Sequence, residues 1–174
     1  MTRHYAFTPL AGANTRVLVL GSLPGAQSLA QRQYYGNPRN GFWYLIGEVI
    51  GRPDLSALPY QARLQVMGFA GIGLWDTIAS AHRTGSLDTA IRDAQPAALE
   101  ELAQGLPSLR AIAFNGAKSA AIGRKALGAS NWHLIDLPSS SPAHAAMPLA
   151  EKREHWLALR EFLAAPLELP GQRP

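Results

Sequence analysis

The chain has 174 residues, 47% of them apolar, with aromatic side chains spread along its length, which suits one compact domain with a substantial core. It has no cysteine, so disulfides, thiol nucleophiles and thiolate-held iron–sulfur clusters are excluded. Its five histidines form no HxxxH or HxH pair, and neither a metal nor another cofactor is expected. The net charge of +4 and a pI near 9.8 favour a polyanionic partner. No apolar run approaches the roughly 20 residues that span a bilayer, and no continuous apolar segment follows Met1 to Phe7, so a cytoplasmic protein is expected.

In chain order, Arg16-Val17-Leu18-Val19-Leu20 comes first, a continuous β-branched run that needs cover on both faces and reads as a buried strand. Phe42, Leu45, Ile46, Val49 and Ile50 then repeat with one clear helical face. Pro59 opens a short helix through Met67 that stops at Gly68. A second strand covers roughly Gly71 to Trp75, and a helix after Pro96 carries Leu99 and Leu102. Arg110 to Phe114 is a third strand, followed by an alanine-rich helix from Gly116 to Leu127 that Gly128 closes. Trp132 to Leu137 is a fourth strand, and the last helix starts near Pro148 with Leu149, Trp156, Leu159 and Leu163 along one side. Lys118, Lys125 and Lys152 read as surface charge on these helices. Strands alternating with helices define an α/β chain with three α/β/α layers and a four-stranded, mostly parallel sheet. One domain, residues 1–166, accounts for nearly everything; residues 167–174 read as a loose tail.

Ligands of an open parallel sheet bind beyond the carboxyl ends of its strands, so the four junctions there matter most. Gly21-Ser22-Leu23-Pro24-Gly25 is a tight turn whose glycines let backbone approach a ligand and whose N–H groups can hold an anion or a carbonyl oxygen. It is equally a plain strand-to-helix turn. Asp76 ends the second strand, either as a helix cap or as an acceptor for ring N–H groups. Asn115-Gly116 after the third strand is just as ambiguous. Ser139-Ser140-Ser141-Pro142-Ala143-His144 follows the fourth; it reads as a flexible linker or as a loop offering hydroxyls and N–H groups to phosphates. Between the first two strands, Tyr34-Tyr35-Gly36-Asn37-Pro38-Arg39-Asn40-Gly41-Phe42-Trp43 places Asn40 as a helix cap, Phe42 and Trp43 in the core, and Tyr35 as a stacking face beside a turn.

Taken in order, the glycine turn, the Asn37-Pro38-Arg39-Asn40-Gly41-Phe42-Trp43 element and Leu137-Pro138-Ser139-Ser140-Ser141-Pro142 resemble the uracil-DNA glycosylase superfamily. The likeness is greatest to its hypoxanthine-DNA (deoxyinosine) glycosylase branch, then to the mismatch-specific uracil enzymes. Gly73 to Ser80 and Gly85-Ser86-Leu87-Asp88 look like that branch as well. The resemblance spans about residues 14 to 163. It implies a monofunctional enzyme, working as a monomer without cofactor on DNA that carries a deaminated base, hypoxanthine or uracil, flipped into a pocket. Residue by residue, it implies a catalytic role for Asn40, which would position water, with Ser22 beside it. Base contacts would come from Gly21, Leu23, Pro24, Gly25, Tyr35, Asp76 and Asn115, and a grip on DNA from Ser139, Ser140, Ser141, Pro142 and His144. Two departures stand out: the first turn offers Ser22 and Leu23 where relatives place an amide or carboxylate, and Leu137 stands where classical uracil enzymes have histidine.

Two other classes compete. Ser22 on a strand–turn–helix suggests a serine hydrolase, although the sequence has no GxSxG. A non-catalytic DNA- or nucleotide-binding module would also explain an incomplete set of catalytic side chains.

Overall fold

A computed structural model of the chain describes residues 2–163. Seven strands and seven α-helices follow in order: β1 (Arg3–Tyr5), β2 (Val17–Gly21), α1 (Ala26–Gln31), α2 (Phe42–Ile50), α3 (Tyr60–Phe69), β3 (Ile72–Asp76), β4 (Ile78–His82), β5 (Arg92–Pro96), α4 (Leu99–Gln104), β6 (Ala111–Asn115), α5 (Ala117–Leu127), β7 (His133–Leu137), α6 (Leu149–Trp156) and α7 (Arg160–Leu163). The central sheet has four strands in the order β3-β2-β6-β7, and every neighbouring pair is parallel.

The apolar run of β2 explains the layering. Val17 and Val19 face one side and pack with α2, Met67 of α3 and Trp156 of α6, while Leu18 and Leu20 face the other and pack with Leu99 and Ala103 of α4 and Ala120 and Leu127 of α5. All four β2 side chains are at most 1% exposed, and each such burial is worth about 1.5–3 kcal/mol. On the α5 side the packing is tight: a Cβ on Gly123 would lie 2.1 Å from the Phe114 ring. The last helix differs from the sequence expectation in two respects: a 3-10 turn, Leu157–Leu159, divides it into α6 and α7, and one end of its apolar side is exposed. Trp156 and Leu159 are fully buried, but Leu149 is 43% exposed.

A second, three-stranded antiparallel sheet in the order β1-β4-β5 was not foreseen. Only Thr77 separates β3 from β4. Its N–H donates to the Gly21 carbonyl at 2.8 Å, and the next N–H, that of Ile78, donates to the Ser22 carbonyl at 3.1 Å. The chain thus leaves the parallel sheet while still tied to the first turn. A small core of Leu23, Ile78, Ala81 and Ile91 joins this second sheet to that turn. The expected domain lies within the described residues up to Leu163; the expected tail lies outside them.

Candidate active site

All four junctions open on one edge of the parallel sheet, and together they line a single cavity of about 750 Å³. The first turn is held from behind. Its carbonyls are all engaged: Gly21 and Ser22 by the N–H groups of Thr77 and Ile78, Gly25 by the N–H of Leu29 at 3.0 Å, and Leu23 and Pro24 by the guanidinium of Arg83, which donates from Nη1 at 3.5 Å and from Nη2 respectively. No acceptor among the described residues takes the N–H groups of Ser22, Leu23 or Gly25. The turn therefore offers donors to whatever enters, the arrangement an accumulating negative charge requires. Gly21 is demanded by space, since a Cβ there would sit 2.6 Å from the Asp76 carboxylate and 3.1 Å from the Tyr35 hydroxyl.

Asp76 is 4% exposed, and its Oδ2 has no hydrogen-bond partner among the described residues. Burial pushes its carboxyl up to about 7, and repulsion from Asp88 adds to the effect while Arg83 opposes it. A buried acceptor without a partner is expensive, and most of all when it is charged. Arg83 is itself only 1% exposed, and burial lowers its pKa. Asp88 begins the short 3-10 turn Asp88–Ala90 and accepts the Ser22 hydroxyl at 2.5 Å. Ser86 accepts the N–H of Ala26 at 2.9 Å.

On the facing side, the helix cap is Gly41 and not Asn40 as expected; the Oδ1 of Asn40, one residue earlier, accepts the Phe42 N–H at 3.0 Å in a local turn, and no acceptor among the described residues takes its amide hydrogens. Phe42 and Trp43 are core residues, 0% and 4% exposed. Tyr35 has a left-handed backbone (φ 53°), and one face of its ring stacks on Phe42 at 3.7 Å and 13°. Only its other face remains for a base, a restriction the sequence did not convey. Burial raises its phenol above the ordinary range. Asn115 joins three loops: its Nδ2 donates to the Tyr35 hydroxyl at 3.2 Å and to Ser140 Oγ at 2.8 Å, and its Oδ1 accepts the Ser140 N–H at 2.9 Å.

The serine loop is more structured than a linker. Ser140 is 3% exposed and also accepts the Gly41 N–H on its carbonyl at 3.0 Å. Its hydroxyl faces Asn115 and not solvent. Ser139 and Ser141 accept the N–H groups of Ser141 and Ala143 at 3.1 and 3.2 Å, so their hydroxyl protons stay available to a phosphate. Pro142 and His144 are exposed. Lys152 departs from the sequence reading: it is 5% exposed, its pKa is lowered by burial, and its Nζ donates to the Ser141 carbonyl at 3.2 Å. Lys118 is half-buried in the cavity wall, again unlike a plain surface charge.

Every residue singled out from the sequence thus borders the cavity: Gly21, Ser22, Leu23, Pro24, Gly25, Tyr35, Asn40, Asp76, Asn115, Ser139, Ser140, Ser141, Pro142 and His144. Sequence reasoning missed Arg83, Ser86, Asp88, Lys118 and Lys152. Ser86 and Asp88 alone carried a signal, as parts of Gly85-Ser86-Leu87-Asp88. Among the described residues no cluster of three or more His, Cys, Asp or Glu could hold a metal ion, and no helix is long and apolar enough to cross a membrane.

A parallel sheet thus carries at its strand ends a pocket lined by a glycine turn, a buried carboxylate and a serine loop. The family model described as the Uracil DNA glycosylase superfamily matches residues 9–163, and the chain belongs to that superfamily. It is 43% identical over 113 residues, 65% of this chain and 71% of the other, to a protein named "Hypoxanthine DNA glycosylase" from Methanosarcina barkeri. A protein of the same name from Methanosarcina acetivorans is 38% identical over 138 residues, 79% of this chain and 86% of the other. The solution NMR structure of a candidate uracil DNA glycosylase from Methanosarcina acetivorans superposes with a TM-score of 0.80 at 34% identity, covering 93% of this chain and 99% of that one.

Proposed function

We propose that this protein hydrolyses the N-glycosidic bond of a deaminated base, hypoxanthine in the first place and uracil in the second, flipped out of DNA, and leaves an abasic site. The observation that carries the reading is the buried Asp76 carboxylate lining the same cavity as the first turn, whose Ser22, Leu23 and Gly25 N–H groups have no acceptor among the described residues. Hypoxanthine presents a lactam: N1–H donates to the Asp76 carboxylate, while O6 and N7 accept from the turn. Uracil offers a smaller lactam with the same donor. As the glycosidic bond breaks, charge gathers on the base, where preorganised N–H donors stabilise it, and Asn40 holds the attacking water.

Tyr35 stacks on the base with its free face, and Ser139, Ser141, Pro142 and His144 meet the DNA backbone, with Asn115 and Ser140 holding the loops that carry these groups. The enzyme is monofunctional and monomeric and needs no cofactor. Its two amines near the site are Lys152, tied to the Ser141 carbonyl, and Lys118 in the wall, which serves phosphate charge. The serine-hydrolase reading is disfavoured because the Ser22 hydroxyl donates to a carboxylate and not to a histidine.

The test uses labelled duplexes bearing hypoxanthine, uracil or xanthine, followed by alkali to reveal abasic sites. Alkali-dependent breaks at hypoxanthine support the reading. Breaks without alkali, or borohydride trapping of the protein on DNA, would overturn monofunctional action; binding with no abasic product would make the protein a non-catalytic module.

A further inference from the structure

The first turn has a serine where water must be oriented, and a free serine hydroxyl is a poor director because it rotates and can either donate or accept. In this fold it is not free. Ser22 Oγ donates to Asp88 Oδ1 at 2.5 Å, a short charge-assisted contact, and Ser22 is 8% exposed. Asp88 is held in register by its own segment, which is fixed to the turn at two further points: Arg83 on the Leu23 and Pro24 carbonyls and Ser86 on the Ala26 N–H. Both Ser22 and Asp88 border the cavity.

We propose that Asp88 is a positioning residue for the glycosidic hydrolysis, acting through Ser22: by holding the hydroxyl proton it makes the Ser22 oxygen a fixed acceptor for the attacking water, which Asn40 also contacts. This rests on the glycosylase reading above. In the step itself the water oxygen bonds to C1′, and the C1′–N electron pair leaves with the base. The water proton passes to Ser22 as the serine's own proton passes to Asp88. The base anion then takes a proton from solvent, and Asp88 returns one to solvent, so the balance closes.

The experiment measures single-turnover cleavage of a hypoxanthine duplex and, separately, equilibrium binding of the same duplex. Ser22→Ala removes the contact, whereas Asp88→Asn keeps an oxygen that can accept the hydroxyl but removes the charge and the ability to take its proton. Each is expected to lower the cleavage rate about 10- to 100-fold, the usual worth of a positioned group of this kind, with binding changed less than about threefold. The double variant Ser22→Ala/Asp88→Asn should be no slower than Ser22→Ala alone, because one pathway has been cut twice. Ser22→Asp placed in the Asp88→Asn background supplies a carboxylate at the turn directly and should recover part of the rate. A merely structural contact would lower binding and melting temperature together and show no rescue. An Asp88→Asn rate equal to wild type, multiplicative losses in the double variant, or rescue that fails in a folded protein overturns the inference. If wild type cuts no lesion duplex, the glycosylase reading falls and the inference falls with it; if wild type cuts and Asp88→Asn is unaffected, only the inference falls.

Discussion

Replacing Asp76 with Asn changes one buried atom's charge and nothing of its shape, and two outcomes follow. The carboxyl is moved from its ordinary 3.8 to about 7, and at about 1.4 kcal/mol per tenfold shift this corresponds to a penalty of roughly 4 kcal/mol carried by the folded protein when Asp76 is ionised. The sign is that of a raised acid. Below about pH 4 the carboxyl is protonated folded and unfolded, and the penalty is absent. Between about 4 and 7 the folded state holds the extra proton, so stability falls as pH rises; above about 7 the full penalty remains. Asp76→Asn should therefore be more stable than wild type at pH 8, by up to a few kcal/mol. At the 2–4 °C per kcal/mol usual for chains of this size, that is a rise of several degrees in Tm, shrinking to little at pH 4. Activity should move the opposite way. The ionised carboxylate accepts N1–H more strongly than the neutral acid, so wild-type kcat/KM should climb with pH through an apparent value near 7. Asp76→Asn should lose most of the rate together with that limb. The assays are thermal melts at pH 4, 6 and 8 and a pH–rate profile on a hypoxanthine duplex. A variant that is no more stable at pH 8 would refute the buried-charge argument; one that keeps cleavage within a fewfold would refute the base-reading role.

Other expectations are narrower. Asn40→Ala should cut cleavage about a hundredfold or more while costing about 1 kcal/mol for the lost turn contact to the Phe42 N–H; a lower Tm with an unchanged rate would leave Asn40 a turn residue alone. Tyr35→Ala should weaken lesion binding by roughly 1–3 kcal/mol in a titration, whereas Tyr35→Phe should keep the stack and lose only the hydrogen bond from Asn115, about 1 kcal/mol of stability. Lys118→Ala should reduce the salt dependence of duplex binding by close to one unit of slope in a log–log plot. Gly123→Ala, although it improves helix propensity by nearly 1 kcal/mol, should destabilise the protein in urea titrations, because the added methyl meets the Phe114 ring.

The parallel sheet was legible because β2, β3 and β6 are continuous apolar runs, a pattern that only double-sided burial explains. The antiparallel sheet was not, and its strands show why. β5 is Arg92-Asp93-Ala94-Gln95-Pro96, exposed along its whole length, and its pairing with β4 slips register twice. Neither strand has a period-2 apolar face, and β1 is too short and polar to announce itself. At the site, strand ends and their order located the cavity. Burial of charge was another matter: Arg83 and Lys152 look like any basic residue in a sequence, and only the fold reveals that each is spent on backbone carbonyls.

Asn115 has a consequence for how this site breathes. Its amide is shared by the Tyr35 turn and the serine loop, and the Ser140 carbonyl passes the tie on to the Gly41 N–H at the head of α2. Three segments far apart in the chain thus hang on one side chain, and opening any one of them breaks hydrogen bonds to another. In hydrogen exchange, the amides of Ser140 and Gly41 should report a single opening free energy well below that of the β2 core. The pocket then behaves as one cooperative unit, which admits a base by yielding as a whole or receives it already formed.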